Sequence, residues 1–233
     1  MFKNLISDLN KLSNPAKAKV LTRFFKTGKG EYGEGDIFLG IMVPDQRKIA
    51  QKYSMLATAA LKRLLTSRIH EYRLVALLIL VDKYEKSSKR NKKDICGFYL
   101  RQAKEGNINN WDLVDLSAPK ILGDYLFASD KNTLYNLARS TNLWARRIAI
   151  VSTFNFIKRG RFTETIEISK ILISDKEDLI HKAVGWMLRE VGKKNLDQEI
   201  KFLNKYASKM PRTMLRYAIE RFKNKDRQNY LKK

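Results

Sequence analysis

A single cysteine, Cys96, excludes an internal disulfide and any cysteine-built metal site. Histidine is almost as scarce, and His70 and His181 stand 111 residues apart, without metal-ligand spacing. Only 4 prolines and 11 glycines punctuate 233 residues, which disfavours a turn-rich all-β fold and leaves room for long helices. The longest apolar run, Leu74 to Val81, falls far short of the roughly 20 residues that a membrane-crossing helix needs. The first residues lack a long apolar stretch and include Asp8, so they do not read as a secretory signal. Acidic side chains are also in deficit: 24 Asp and Glu face 47 Lys and Arg, for a formal net charge of +23. A reduced cytoplasm is the expected location, with no membrane association. A positive surplus of this size is the footprint of a polyanionic partner, and nucleic acid fits it best.

What the chain does have is periodicity. Asn110-Trp111-Asp112-Leu113-Val114-Asp115, Trp144-Ala145-Arg146-Arg147 and Lys182-Ala183-Val184-Gly185-Trp186-Met187-Leu188-Arg189 recur with their anchors Asn110, Arg146 and Lys182 spaced 36 residues apart. Arg73 precedes the first anchor by 37 residues and Arg216 follows the last by 34. A period in the mid-thirties marks an array of helix pairs, each stacked on its neighbours. The expected fold is all-α, a HEAT-like helical-repeat solenoid, C-shaped with a basic concave cleft, forming one domain over residues 1–233. Helices are expected over 2–12, 15–26, 44–53, 55–66, 69–85, 91–104, 110–116, 118–128, 131–139, 142–158, 162–173, 177–192, 196–207 and 211–222. Ser13-Asn14-Pro15 carries a helix-start signal, with proline at the first helical position. The segment Thr27–Asp36 holds four glycines and reads as a loop; it lacks the Gly-Lys-Ser/Thr of a phosphate-binding Walker motif.

Counting from each anchor, Trp111 and Arg147 occupy position one, Trp186 position four and Asp115 position five. These positions share one face of a helix. Equivalent helices would then present two indoles, a carboxylate and a guanidinium together, with Arg146, Lys182, Arg189 and Arg216 adding positive charge. Trp144 falls near the opposite side and reads as core. A carboxylate in a strongly basic setting opposes phosphate binding, so Asp115 calls for an explanation in chemistry or in holding an arginine.

These blocks, together with Phe38-Leu39-Gly40-Ile41-Met42-Val43-Pro44, resemble the DNA alkylation repair enzymes of the AlkD family, which are HEAT-like repeat DNA glycosylases. The resemblance covers most of the chain. It implies hydrolysis of the N-glycosidic bond of N3- and N7-alkylated purines in duplex DNA, within base excision repair, by a monomer that needs no metal or organic cofactor and no protein partner. It carries the catalytic roles onto Asp115, Trp111 and Trp186. DNA contacts are assigned to Arg147, Arg146, Lys182, Arg189, Arg216 and Arg47. Residues 28–35 look like an insertion relative to the family pattern. The alternative reading is a non-catalytic HEAT-repeat binder of DNA or RNA; association with the nucleoid is expected when the chain is bound to DNA.

Overall fold

The computed structural model describes residues 1–232. Helices account for most of it, with a long loop over 25–42, and the one β pairing among the described residues is an isolated bridge between Ile37 and Ile69. Two compact units divide the chain, Met1–Ser117 and Ala118–Lys233.

In the first unit the order is α1 (Phe2–Lys11), α2 (Pro15–Phe24), α3 (Val43–Lys52), α4 (Thr58–Leu65), α5 (His70–Glu85), α6 (Lys89–Lys104) and α7 (Trp111–Asp115). Helix α2 starts where Asn14 accepts the Lys17 amide and Pro15 supplies a pre-set φ. Helix α5 forms the core of this unit: 13 of its 16 residues are buried, so it is covered on every side. Helices α3, α4, α6 and α7 all pack against it. Three of those buried residues, His70, Glu71 and Arg73, are polar and require partners. Glu71 finds them in the backbone, accepting the amides of Leu39, Gly40 and Ile41 at 2.8–3.2 Å. Gly40 has φ +84°, and a Cβ there would lie 2.2 Å from the Asn14 carbonyl oxygen. Only glycine lets the loop reach Glu71 by this route. Cys96, on α6, is buried.

The second unit runs through a π-helical turn (Pro119–Gly123), α8 (Asp124–Phe127), α9 (Asn132–Ala138), α10 (Leu143–Ser152), α11 (Phe154–Lys158), α12 (Thr163–Ile171), α13 (Asp178–Lys194), α14 (Leu196–Tyr206), α15 (Arg212–Ala218) and α16 (Asn224–Leu231). Helix α13 is central and packs against α10, α14 and α15. Its Gly185 admits α15 so closely that a Cβ would sit 2.4 Å from the Met214 carbonyl oxygen and 2.5 Å from the Tyr217 Cβ. Gly185→Ala is therefore expected to overpack this contact, at a cost of about 1–3 kcal/mol. A thermal melt within error of the parent would remove the close approach as a requirement of the fold.

Two expected helices are interrupted. The one expected over 142–158 breaks after Ser152, where Thr153 Oγ1 donates back to the Ile150 carbonyl at 2.6 Å. The one over 118–128 opens with the π-helical turn, and its Gly123 lies against the Ser152 backbone, where a Cβ would meet the carbonyl oxygen at 2.3 Å. The charged tail from Asn224, left without assignment by the sequence pattern, forms α16; Lys233 lies outside the described residues. Among the described residues no helix is long and apolar enough to cross a membrane.

Candidate functional site

Helix α7 is five residues long, and its sequence dictates how it sits. Asp112, Leu113 and Val114 face inward and are buried, whereas Trp111 and Asp115 are only half-buried. Spaced four apart, the indole and the carboxylate lie one above the other on the same side of the helix. Asn110 caps it by accepting the Trp111 amide at 2.8 Å. Tyr99 of α6 is fully buried and donates to or accepts from Ser117 Oγ at 3.0 Å. Burial, with help from the Asp115 charge, pushes the Tyr99 phenol well above its ordinary pKa.

The start of α7 is tied to α5 and to the glycine-rich loop by a buried ionic cluster. His70 Nε2 lies 2.8 Å from Asp112 Oδ2, and His70 Nδ1 lies 3.2 Å from Asp36 Oδ2. Arg73 Nη2 donates to the same Asp36 oxygen at 2.6 Å, and Asn110 Nδ2 does so at 3.1 Å. Arg73 Nη1 donates to Asn109 Oδ1 at 2.7 Å. The side chains of His70, Arg73, Asp36 and Asp112 are all at most 7% exposed. Burial disfavours a charged imidazole, yet the attraction and hydrogen bonds of Asp112 and Asp36 outweigh it and raise the His70 pKa from 6.5 to about 9. Burial likewise opposes ionisation of Asp36, but His70 and Arg73 hold its carboxyl below the ordinary value. At neutral pH the cluster therefore contains two cations and two anions and is electrically balanced.

An aromatic ladder leads from the cluster outward. Phe38 stacks on the His70 ring at 4.6 Å, and Phe25 tilts onto it at 4.9 Å. Phe25 in turn stacks nearly parallel on Trp111, centroids 5.0 Å apart at 8°. Phe24, 63% exposed, meets the Trp111 ring edge-on at 5.9 Å.

The remaining residues singled out by spacing occupy varied settings. Arg47, on α3, is exposed. In the second unit Trp186 is half-buried on α13, donates from Nε1 to Glu190 at 3.1 Å and tilts against Phe154 at 5.7 Å. Arg147 is buried, with Nη1 on the Leu179 carbonyl at 2.5 Å. Four hydrogen bonds hold the Arg146 guanidinium, two to Asp175 and two to the carbonyls of Ser140 and Thr141. Lys182 pairs with Asp178 at 2.7 Å, Arg189 pairs with Glu220, and Arg216 is exposed. Trp144 lies in the core at 9% exposure.

Helix register differs from the register that spacing alone suggests. Asn110 is the cap of α7, but Arg146 is the fourth residue of α10 and Lys182 the fifth of α13. Counted from helix starts, Trp111 is first, Asp115 and Arg147 are each fifth and Trp186 is ninth. A step of four residues runs only about 40° past a full turn, so Trp111 and Asp115 share one side of α7, whereas Trp186, eight positions on from a helix start, is about 80° out of that phase. Spacing did not find the ionic cluster. Its signal was present in His70, Glu71 and Arg73 directly before the apolar run Leu74–Val81. Polar groups opening a helix that is buried all round must be satisfied by something distant in sequence.

Comparison with known proteins follows the same direction. A family model described as DNA alkylation repair enzyme matches residues 5–222. A solved structure, "Predicted DNA alkylation repair enzyme from Enterococcus faecalis", is similar with a TM-score of 0.68 and 16% identity, covering 91% of this chain and 97% of that one. At that identity the likeness concerns the fold. No curated protein matches the chain.

Proposed function

The chain belongs to the DNA alkylation repair enzyme family, and from that premise we propose that it is a DNA glycosylase hydrolysing the N-glycosidic bond of alkylated purines in duplex DNA. The observation that carries this reading is α7, which buries its middle three residues and leaves an indole and a carboxylate half-accessible, one turn apart, in a chain of net charge +23.

The chemistry asks for little more. Alkylation at N3 or N7 makes the purine cationic and a good leaving group. As the bond breaks, positive charge gathers on the deoxyribose, as in glycoside hydrolysis generally. Asp115 stabilises that charge and orients or deprotonates the attacking water. Water adds to the anomeric carbon, the bond to the base breaks with its electron pair, and the base leaves neutral. Trp111, on the same helix as Asp115, offers a π face to the cationic sugar. Arg47, Lys182 and Arg216, all with exposed or part-exposed charge, contact phosphates, while Arg189 and Arg146 add to the field through their paired positions. Arg147, already anchored on the Leu179 carbonyl, is assigned to a phosphate contact in the second unit.

Binding to duplex DNA is expected to be salt-sensitive and nearly indifferent to sequence. Each phosphate contact adds roughly −0.9 to the slope of log affinity against log salt. Arg47→Ala and Arg216→Ala should each flatten that slope by one such increment, and Arg147→Ala should weaken binding to lesion-bearing DNA more than to undamaged DNA. An affinity unchanged between low and moderate salt would rule out the electrostatic mode. The decisive assay is release of free 7-methylguanine from methylated duplex, with no release by excess enzyme counting against the glycosylase.

A further inference from the structure

The ionic cluster has a geometry suited to more than holding the first unit together. Its four charged side chains come from three places: Asp36 from the end of the glycine-rich loop, His70 and Arg73 from α5, and Asp112 from α7. Every connection toward α7 ends within three residues of Trp111. Asn109 takes Arg73, Asn110 gives to Asp36, and Asp112 takes His70. Asn110 simultaneously caps Trp111 through its side-chain oxygen. A second route runs through rings, from His70 to Phe25 to Trp111.

We propose that His70, as a doubly hydrogen-bonded imidazolium, is a positioning residue that clamps the glycine-rich loop to the start of α7 and so fixes Trp111, and Asp115 one turn further on. The catalytic consequence rests on the glycosylase reading; the positioning of the indole does not.

A neutral imidazole has one N–H and satisfies one carboxylate only. Two buried carboxylates would then face a single remaining cation, Arg73. With the proton on Nδ1 the tie to Asp112 of α7 is lost; with it on Nε2 the tie to Asp36 of the loop is lost and Nδ1 faces Arg73 Nη2 at 3.3 Å, so either tautomer breaks the link between loop and α7 through the ring. Asp36, Asp112 and Arg73 are the charged groups that face the ring, and Phe25 and Phe38 cover its sides. Its protonation is thus governed inside the cluster rather than by solvent.

The full-length chain tests this directly. Trp144→Phe with Trp186→Phe leaves Trp111 as the only indole of three. In that background His70→Gln is expected to raise acrylamide quenching of Trp111 by roughly two-fold, as loss of the Phe25 stack uncovers one ring face. Far-UV circular dichroism and a cooperative melt establish that the variant is folded. Should His70→Gln fail to fold, Asp112→Asn serves, because it keeps an acceptor for Nε2 but removes the charge that retains the proton. With only two histidines, the His70 ring titration is assigned by NMR using His181→Gln. It is expected near pH 9 in the parent and at lower pH in Asp112→Asn.

Excision by the parent with its native tryptophans should decline across that same titration, in kcat more than in KM. The decline should move with the ring in Asp112→Asn. A purely structural role for His70 would leave the excision profile where it was. Equal shielding of Trp111 in a folded His70→Gln or Asp112→Asn protein overturns the inference, as does excision that stays flat while His70 titrates. A parent that binds duplex DNA but releases no base at any pH defeats the glycosylase reading alone, and the quenching result then decides the positioning.

Discussion

Asp115→Asn is expected to slow single-turnover release of 7-methylguanine by on the order of 10²–10³ while leaving duplex binding intact or stronger. The amide preserves the shape of the side chain and removes its charge. It therefore deletes the stabilisation of a cationic sugar at the moment that stabilisation counts, and it also relieves repulsion from phosphate. Trp111→Ala and Trp186→Ala should cost less rate, because each removes packing and a π face but keeps the carboxylate. If Asp115 instead serves only the fold, the substitution will lower the melting temperature and spare the rate. Measuring release and melting on the same preparation separates these cases, and excision at the parental rate would eliminate Asp115 as the catalytic residue.

A second large effect is expected from Asp36→Ala. One oxygen of Asp36 receives His70, Arg73 and Asn110 together. Removing it leaves two buried cations with Asp112 as their one carboxylate, and breaking a buried ion pair from one side costs about 3–5 kcal/mol. The loss should depend on pH. The raised pKa of His70 contributes stability that is complete below 6.5 and disappears as pH climbs through about 9. The lowered pKa of Asp36 contributes stability present above 3.8 that is lost as pH falls through its lower folded value. The gap between parent and variant is therefore widest between these limits and narrows toward pH 9. Denaturant melts at pH 5.5 and pH 9 measure it. An equal, sub-kcal/mol difference at both values would show that the cluster contributes no coupled charge.

Glu199 adds to the alkaline trend. Burial lifts its carboxyl to about pH 8, against a partial pull downward from Arg189. The folded protein then holds a proton that the unfolded chain releases from about 4.5 upward, so stability drains away between those values. Glu199→Gln should flatten this part of the stability profile, and a melt with unchanged pH dependence would exclude Glu199 as its source.

Much of the fold could be read from residue order because helix periodicity is a local property. The Asn14-Pro15 start, the loop carrying four glycines and the buried run from Leu74 all fall where the pattern puts them. The break at Thr153 was not legible. Its neighbours Ile148–Val151 and Phe154, Phe156 and Ile157 are apolar, and the Thr153 hydroxyl turns back on Ile150. The π-helical turn depends on Gly123 meeting the Ser152 backbone, a contact between positions 29 residues apart. For the candidate site, the identities of Trp111 and Asp115 followed from spacing, but their support did not. Asp36 reaches Asn110 across 74 residues and His70 reaches Asp112 across 42, and no periodic rule relates a loop aspartate to a histidine on a later helix.

The buried position of Cys96 bears on the conditions under which this chain would work. Reagents that methylate purine nitrogens are electrophiles, and a thiolate is a softer, faster target for them than DNA. Reaction requires both an ionised sulfur and an open approach. At 3% exposure on α6, the chain's single thiol offers no open approach. A repair-family protein built this way keeps its one sulfhydryl out of reach of such electrophiles.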